Sequence, residues 1–131
     1  MFDQVALKPG KPAVFAKQRR KIFFGLPGNP VSTAVTFFLF VRRAIMLLQS
    51  AADPAVRRGF AALYAPLRGT KDRDVYFPAR LASAADGKLI AVPLPWLGSS
   101  DLVSFAHAEA LIVVPKLTTF NTGDVAEVLF L

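Results

Sequence analysis

The turn at residues 25–30, with the sequence GLPGNP, constrains the fold of this chain most. It joins a short apolar run at 21–24 to a long apolar stretch that continues to Leu48. Asn29 is a good helix N-cap, and Pro30 suits the first helical position because the N–H group that proline lacks has no partner there in any helix. The sequence therefore predicts a strand, a rigid turn and a helix that begins at Pro30.

The predicted helix is apolar around most of its circumference. Its most apolar part, residues 31–41, is 11 residues long, whereas a membrane span needs about 20. At about 100° per residue, Ser32, Thr36, Arg43 and Ser50 fall in one narrow polar stripe. We therefore expect a helix that is covered by protein on most sides, and no membrane as a partner.

The composition is that of a packed domain. The chain has 131 residues, of which 53% are apolar, and this is enough to bury a core. It has no cysteine, which excludes disulfides, thiolate metal sites and a cysteine nucleophile. No basic cap followed by an apolar core marks the first residues as a secretory signal. A reducing, cytoplasmic setting is expected.

The positive charge is concentrated in the first fifty residues. These residues hold eight lysines and arginines against Asp3 alone, which gives the whole net charge of +7, and the remainder holds eight basic and eight acidic side chains. Such a segment favours a polyanion, an anionic small molecule or an acidic neighbouring domain as its partner.

The chain divides into two units near Pro54, which ends the helical pattern because a proline disfavours the α conformation in the residue before it. Short apolar runs at 4–7, 12–16 and 21–24 predict strands in the first unit. The second unit has several short segments of strand character separated by turn signals, a pattern typical of a small β-barrel or sandwich. These segments are 57–66, 74–82, 88–93, 102–106, 110–114 and 125–131.

Two features of the first unit can bind an anion. The start of the helix at Asn29 and Pro30 presents unpaired backbone N–H groups and the positive end of the helix dipole. The turn at residues 8–12, KPGKP, is stiffened by two prolines and holds the Lys8 and Lys11 ammonium groups near each other. A turn without a ligand and a pair of solvated lysines explain the same residues, so both explanations stay open on physical grounds.

Other catalytic patterns are weak. His107 is the only histidine, and Ser104 and Asp101 precede it, but no serine lies in a nucleophile-elbow pattern. The aspartates in turns lack calcium-loop spacing. We assign no hydrolase triad and no metal ligand.

The two motifs of the first unit also carry a resemblance. KPGKP at 8–12 followed by FGLPGNPVS at 24–32 resembles the end of the central domain of the molybdopterin molybdenumtransferase family, which includes the gephyrin E domain. RDVYFPARL at 73–81, the segment from GSSDL to VVP at 98–115 and TGDVAEV at 122–128 are similar to the C-terminal β domain of that family. The resemblance covers residues 3–131.

The resemblance implies an α+β fold. Residues 1–52 would be the end of the central molybdopterin-binding α/β domain, and residues 53–131 a small C-terminal β-barrel-like domain. The family's N-terminal dimerisation region and its Gly-Gly-x-Ser-x-Gly loop have no counterpart in this sequence. We therefore expect a C-terminal fragment of a homodimeric enzyme, inactive alone, whose helix leaves apolar surface uncovered.

The activity that the resemblance implies is the insertion of molybdate into adenylylated molybdopterin, with release of AMP and with a divalent cation such as Mg²⁺. By the same resemblance, Lys8, Lys11 and Arg73 would be catalytic, binding anionic oxygens of the pterin phosphate or of molybdate. Arg73 among charged neighbours can equally lie in a solvated turn, and Ser99 and Ser100 can simply shape a loop. The expected substrate-binding residues are Gly25, Pro27, Gly28, Asn29, Pro30, Ser32, Ser99 and Ser100.

Two other functions stay open. A non-catalytic interaction scaffold of the gephyrin type would bind a peptide and not molybdopterin. A basic nucleic-acid-binding module would use the positive segment, but the phenylalanines at 37–40 lie within the predicted helix instead of on an exposed sheet. Nucleic acid is therefore the less favoured partner.

Overall fold

The computed structural model describes all residues, 1–131. The first unit opens with a short strand, β1 (Leu7–Lys8), followed by a hairpin of β2 (Val14–Gln18) and β3 (Lys21–Gly25). The two hairpin strands pair antiparallel with Gln18 opposite Lys21. β1 does not join this hairpin, because it pairs in parallel with a strand of the second unit.

The predicted helix is present and begins at Pro30. It consists of α1 (Pro30–Thr36), a π-helical segment (Phe37–Val41) and α2 (Arg42–Leu48), which together run for 19 residues. Asn29 has the extended backbone of an N-cap, with φ −73° and ψ 130°. By length and composition alone this helix is sufficient to cross a membrane, a test that core helices of soluble proteins also pass.

The helix is buried only at its start. Val31, Val35 and Thr36 are inaccessible to solvent, whereas Leu47 and Leu48 are 56% and 73% exposed. The expectation that the helix is covered on most sides is therefore wrong for its second half. The expectation that this chain leaves apolar helix surface uncovered is confirmed.

The second unit is a closed five-stranded barrel, as predicted. The barrel strands are β4 (Arg58–Leu63), β6 (Asp74–Ser83), β7 (Leu89–Pro93), β8 (Ala110–Val114) and β10 (Val125–Phe130). They follow the order β6-β7-β4-β10-β8, and β8 pairs again with β6. All neighbours are antiparallel except β4 and β7, which are parallel. A separate two-stranded sheet of β5 (Leu67–Arg68) and β9 (Thr119–Phe120) was not predicted.

Two hydrophobic cores hold this arrangement together. The larger one lies inside the barrel and includes Leu63, Ile112 and Val128. The smaller one joins the helix to the outside of the barrel, where Val31 and Val35 pack with Phe105, Leu111 and Leu129. Because burial of such side chains stabilises by about 1.5–3 kcal/mol each, the start of the helix is fixed against the barrel.

The prediction of a strand at 102–106 is wrong. These residues form a short helix, α3 (Leu102–Ala106), whose N-cap is Asp101. The Asp101 carboxylate accepts a hydrogen bond from the Ser104 backbone N–H at 3.0 Å, which is the standard N-cap contact. This cap, together with burial of Phe105 in the smaller core, outweighs the apolar pattern that indicated a strand.

Candidate anion-binding cleft

A cleft of about 350 Å³ lies where the KPGKP turn, the start of the helix and the barrel meet. Eight of the eleven residues proposed from sequence line it: Lys8, Lys11, Pro27, Gly28, Asn29, Ser32, Arg73 and Ser99. Gly25, Pro30 and Ser100 do not line it. The structure thus brings together residues from both units that lie up to about ninety positions apart in the sequence.

The first wall is the KPGKP turn. β1 pairs with β6 so that Lys8 lies opposite Val75, and this pairing places the turn beside Arg73. Gly10 has φ +125°, and a Cβ atom there would lie 2.6 Å from Thr36 Cγ2 and 2.8 Å from Leu7 Cδ1. Only glycine fits this position, since both the backbone angle and the close packing exclude a side chain.

The second wall is the start of the helix. Asn29 makes no side-chain cap bond; its Nδ2 instead donates to Ser99 Oγ at 2.9 Å. The Val31 backbone N–H donates to the Ser99 carbonyl oxygen at 3.2 Å. Two hydrogen bonds therefore attach the glycine-serine loop of the second unit, residues 98–100, to the helix start of the first unit.

The third wall is the loop between β7 and α3. Asp101 Oδ2 accepts from the Leu97 N–H at 3.2 Å, and Oδ1 accepts from the Ser104 N–H. The hydrogen bonds from Ser104, followed by the one from Leu97, lower the pKa of the Asp101 carboxyl. One carboxylate thus closes the loop that carries Ser99. Sequence reasoning placed Asp101 in a turn and in a hydrolase-triad pattern, and it missed this role.

Arg73 enters the cleft from the segment that precedes β6. Its backbone is held by Thr70, whose hydroxyl donates to the Arg73 carbonyl at 2.6 Å, and its Nε lies 2.9 Å from Asp72 Oδ2. Desolvation opposes ionisation of Asp72, but the Arg73 charge and hydrogen bonds outweigh it, so the pKa of this carboxyl is lowered. Asp72 does not line the cleft. The lining therefore contains three cationic side chains and no carboxylate.

Trp96 is the one aromatic residue of the lining and was not predicted. It is the only tryptophan in the chain and lies two residues before Gly98, where the glycine-serine loop begins. This position in the sequence could have indicated that Trp96 belongs to the cleft, because large amphipathic rings are favoured where an apolar body and a polar tip are both needed.

The triad pattern does not form a catalytic site. The Ser104 hydroxyl donates to the Pro95 carbonyl oxygen at 3.2 Å, and Asp101 is occupied as a cap. The His107 side chain is exposed and makes no hydrogen bond to either residue.

Comparison with known proteins identifies the family. The family model described as the MoeA C-terminal region (domain IV) matches residues 61–131, more than half of the chain. The chain belongs to the MoeA family. This confirms the resemblance found in the sequence, and the matched MoeA region begins within β4 and contains the rest of the barrel.

MoeA relatives match the chain over its whole length. It is 31% identical over 134 residues to the molybdopterin molybdenumtransferase of Bacillus subtilis, covering 100% of this chain and 30% of that protein. It is 32% identical over 135 residues to molybdopterin molybdenumtransferase 1 of Mycobacterium tuberculosis, covering 98% of this chain and 32% of that protein. The chain thus spans about a third of the length of these MoeA relatives.

A solved MoeA structure has the same fold. The crystal structure of the molybdopterin biosynthesis moeA protein from Pyrococcus horikoshii matches with a TM-score of 0.76 at 21% identity, over 100% of this chain and 32% of that one. At this identity the likeness concerns the fold. It covers both the helical unit and the barrel, so the arrangement that forms the cleft is part of the shared architecture.

Proposed function

We propose that this MoeA chain is part of a molybdopterin molybdenumtransferase and that its cleft binds anionic oxygens of adenylylated molybdopterin or of molybdate. The enzyme would insert molybdate into the adenylylated pterin and release AMP. One observation carries the proposal: three cationic side chains from two separate segments converge on a cleft that no carboxylate lines. The names of the relatives supply the substrate class.

The charges of the cleft favour a bound oxyanion. The KPGKP turn holds the ammonium groups of Lys8 and Lys11 on one wall, and an anion between like charges relieves their repulsion. Arg73 uses its Nε for Asp72, so its remaining N–H groups are available for a phosphate or molybdate oxygen. The excess positive charge of residues 1–50 acts in the same direction.

The role of these residues would be binding and orientation. Cleavage of the phosphoanhydride transfers charge to the departing AMP, while molybdenum remains on the dithiolene. Positioned cations and N–H donors stabilise such charge without reorganising during the reaction. Lys8, Lys11 and Arg73 would hold the oxyanion, and Asn29 and Ser99 would keep the two walls at a fixed separation.

The divalent cation of the resemblance does not fit the residues of this chain. Mg²⁺ prefers carboxylate oxygens, but the cleft lining has none. No group of three histidine, cysteine, aspartate or glutamate side chains is placed to hold a metal. We therefore assign no step to Mg²⁺.

The chain would act as one part of a larger, homodimeric, cytoplasmic enzyme. Residues 1–52 would belong to its central domain and residues 53–131 to its C-terminal β domain. The relatives are about three times longer than this chain, and Leu47 and Leu48 expose apolar surface that further protein would cover. Without that protein, residues 1–131 would bind oxyanions but not transfer molybdenum.

Equilibrium dialysis with adenylylated molybdopterin and with molybdate tests the proposal. We expect the 131-residue chain to bind at least one of them and to release no AMP. Absence of binding to both would refute the proposed site. AMP release at the rate of a full-length family member would refute the proposal that residues 1–131 do not transfer molybdenum on their own.

A further inference from the structure

The indole N–H of Trp96 is buried and has no hydrogen-bond partner within the protein. It is the only buried side-chain nitrogen or oxygen atom in that condition. Buried tryptophan N–H groups usually find an acceptor, because an unmet donor loses its hydrogen bond to water without replacement. This donor belongs to a residue that lines the cationic cleft.

The ring cannot easily turn to satisfy this donor elsewhere. It meets the edge of Phe77 at a centroid distance of 5.4 Å and an interplanar angle of 87°, and it packs against both hydrophobic cores. The backbone on each side is also held, since Leu94 N–H donates to the Pro78 carbonyl at 3.0 Å and Leu97 N–H donates to Asp101. The position of the indole is thus set before any ligand arrives.

Packing against the two cores accounts for the ring of Trp96 but not for its buried, unpartnered N–H group. A phenylalanine would keep an aromatic ring against Phe77 and would bury no polar atom. The indole adds one N–H donor, beside a cleft whose other polar side chains come from Lys8, Lys11, Arg73, Asn29, Ser32 and Ser99. A fixed, desolvated donor in a residue that lines a cationic cleft is suited to an anionic oxygen, because hydrogen bonds to charged acceptors are about twice as strong as neutral ones.

We infer that Trp96 is a ligand-binding residue, whose indole N–H donates to an oxygen of the tetrahedral oxyanion held in the cleft. The inference rests on the proposed function, since it requires that the cleft binds an oxyanion. The oxyanion is either molybdate or a phosphate group, and both present the same acceptor geometry to the indole.

Because the chain has a single tryptophan, its ¹H–¹⁵N spectrum contains one indole signal. We would titrate the intact chain with inorganic molybdate and, separately, with inorganic phosphate, and would measure affinity by calorimetry in parallel. The variant Trp96→Phe removes the donor and keeps a ring. The control Leu97→Ala changes the neighbouring side chain, which is 94% exposed.

We expect the indole proton signal to shift downfield on saturation with at least one of the two anions. The anion that causes the shift is the one that the indole N–H binds. Trp96→Phe should bind that anion about tenfold more weakly, and Leu97→Ala should bind it as the parent does. If the parent binds an anion but the indole signal stays in place, the inference is overturned while the anion site stands. If the parent binds neither anion, both the inference and the proposed site fail. The indole signal decides the question even if Trp96→Phe does not fold.

Discussion

Asn29 donates from its side-chain amide to the hydroxyl oxygen of Ser99 at 2.9 Å, across 70 positions of sequence. Asn29 is the N-cap residue of the helix, yet its side chain forms no cap bond. The residue therefore connects two units instead of stabilising the helix locally. Together with the hydrogen bond from Val31 N–H to the Ser99 carbonyl, it sets the distance between two walls of the cleft.

The Asn29–Ser99 hydrogen bond can be measured by a double-mutant cycle of Asn29→Ala and Ser99→Ala. We expect a coupling free energy of unfolding of about 0.5–1.5 kcal/mol, because one neutral hydrogen bond is lost in either single variant. Chemical denaturation of the four proteins gives this value. Asn121→Ala, in a turn of the barrel, is the control and should not couple to Ser99→Ala. Additive effects of Asn29→Ala and Ser99→Ala would show that the bond does not join the units.

The lysines of the KPGKP turn should dominate the affinity for oxyanions. Lys8→Ala or Lys11→Ala should weaken molybdate or phosphate binding about tenfold, since each removes a charged hydrogen-bond donor from the lining. Lys17→Ala is the matched control because it removes the same charge from β2, away from the cleft. Calorimetry at constant ionic strength compares the anion affinities of the cleft variants with that of Lys17→Ala. Equal losses for Lys11→Ala and Lys17→Ala would mean that only net charge matters.

Gly10→Ala should be far more disruptive than the same change at Gly87. Both glycines have positive φ, +125° and +82°, but only at Gly10 would a Cβ atom meet neighbours, with Thr36 Cγ2 at 2.6 Å. We expect Gly87→Ala to cost about 1–2 kcal/mol for the backbone alone and Gly10→Ala about 1–3 kcal/mol more for the clash. Thermal unfolding of the two variants tests this. Equal losses of stability in Gly10→Ala and Gly87→Ala would show that the KPGKP turn is not packed against the helix as described.

Much of this fold could be predicted from sequence because its signals are local. The helix start follows from Asn29 and Pro30, and the barrel follows from short apolar segments between turn signals. The error at residues 102–106 arose because a five-residue segment with four apolar side chains fits either a strand or a helix, and the deciding contact is the Asp101 cap. The exposure of apolar surface on the helix was predicted only from the resemblance, since periodicity does not show what covers a helix.

The residues of the cleft could be predicted only in part, because some of them act through contacts in space that no sequence motif records. The family resemblance pointed to Lys8, Lys11, Arg73 and Ser99, which the structure brings to one place. Trp96 and Asp101 contribute through contacts with residues that are near in space, which no motif records. Whether these residues bind the proposed ligands stays a prediction.

The loop that carries Ser99 should loosen in acid. The pKa of the Asp101 carboxyl is lowered in the folded chain from its ordinary value of 3.8. At a pH above 3.8 the ionised carboxylate therefore stabilises the loop through its hydrogen bonds. This stabilisation is lost as the pH falls through the lower, folded-state pKa. The fluorescence of Trp96, in the same loop, should report this transition. It should be absent or reduced in Asp101→Asn, whose side chain does not titrate.

The control for this experiment is Asp86→Asn. Hydrogen bonds from Lys88 lower the pKa of Asp86 as well, but this pair closes the turn between β6 and β7. The acid transition of Trp96 fluorescence should therefore survive Asp86→Asn. An unchanged transition in Asp101→Asn would assign it to another group and contradict the role given to Asp101.

The most direct test of the cleft is a map of backbone amide shifts as molybdate, and then phosphate, is added to the intact chain. The cleft predicts shifts at residues 8–12, 28–32, 73 and 96–99, which come from both units and saturate together with one affinity. The competing basic surface is the hairpin tip at Gln18, Arg19, Arg20 and Lys21. Shifts confined to that tip, or no saturable shifts at all, would contradict the claim that this MoeA chain holds an oxyanion between its two units.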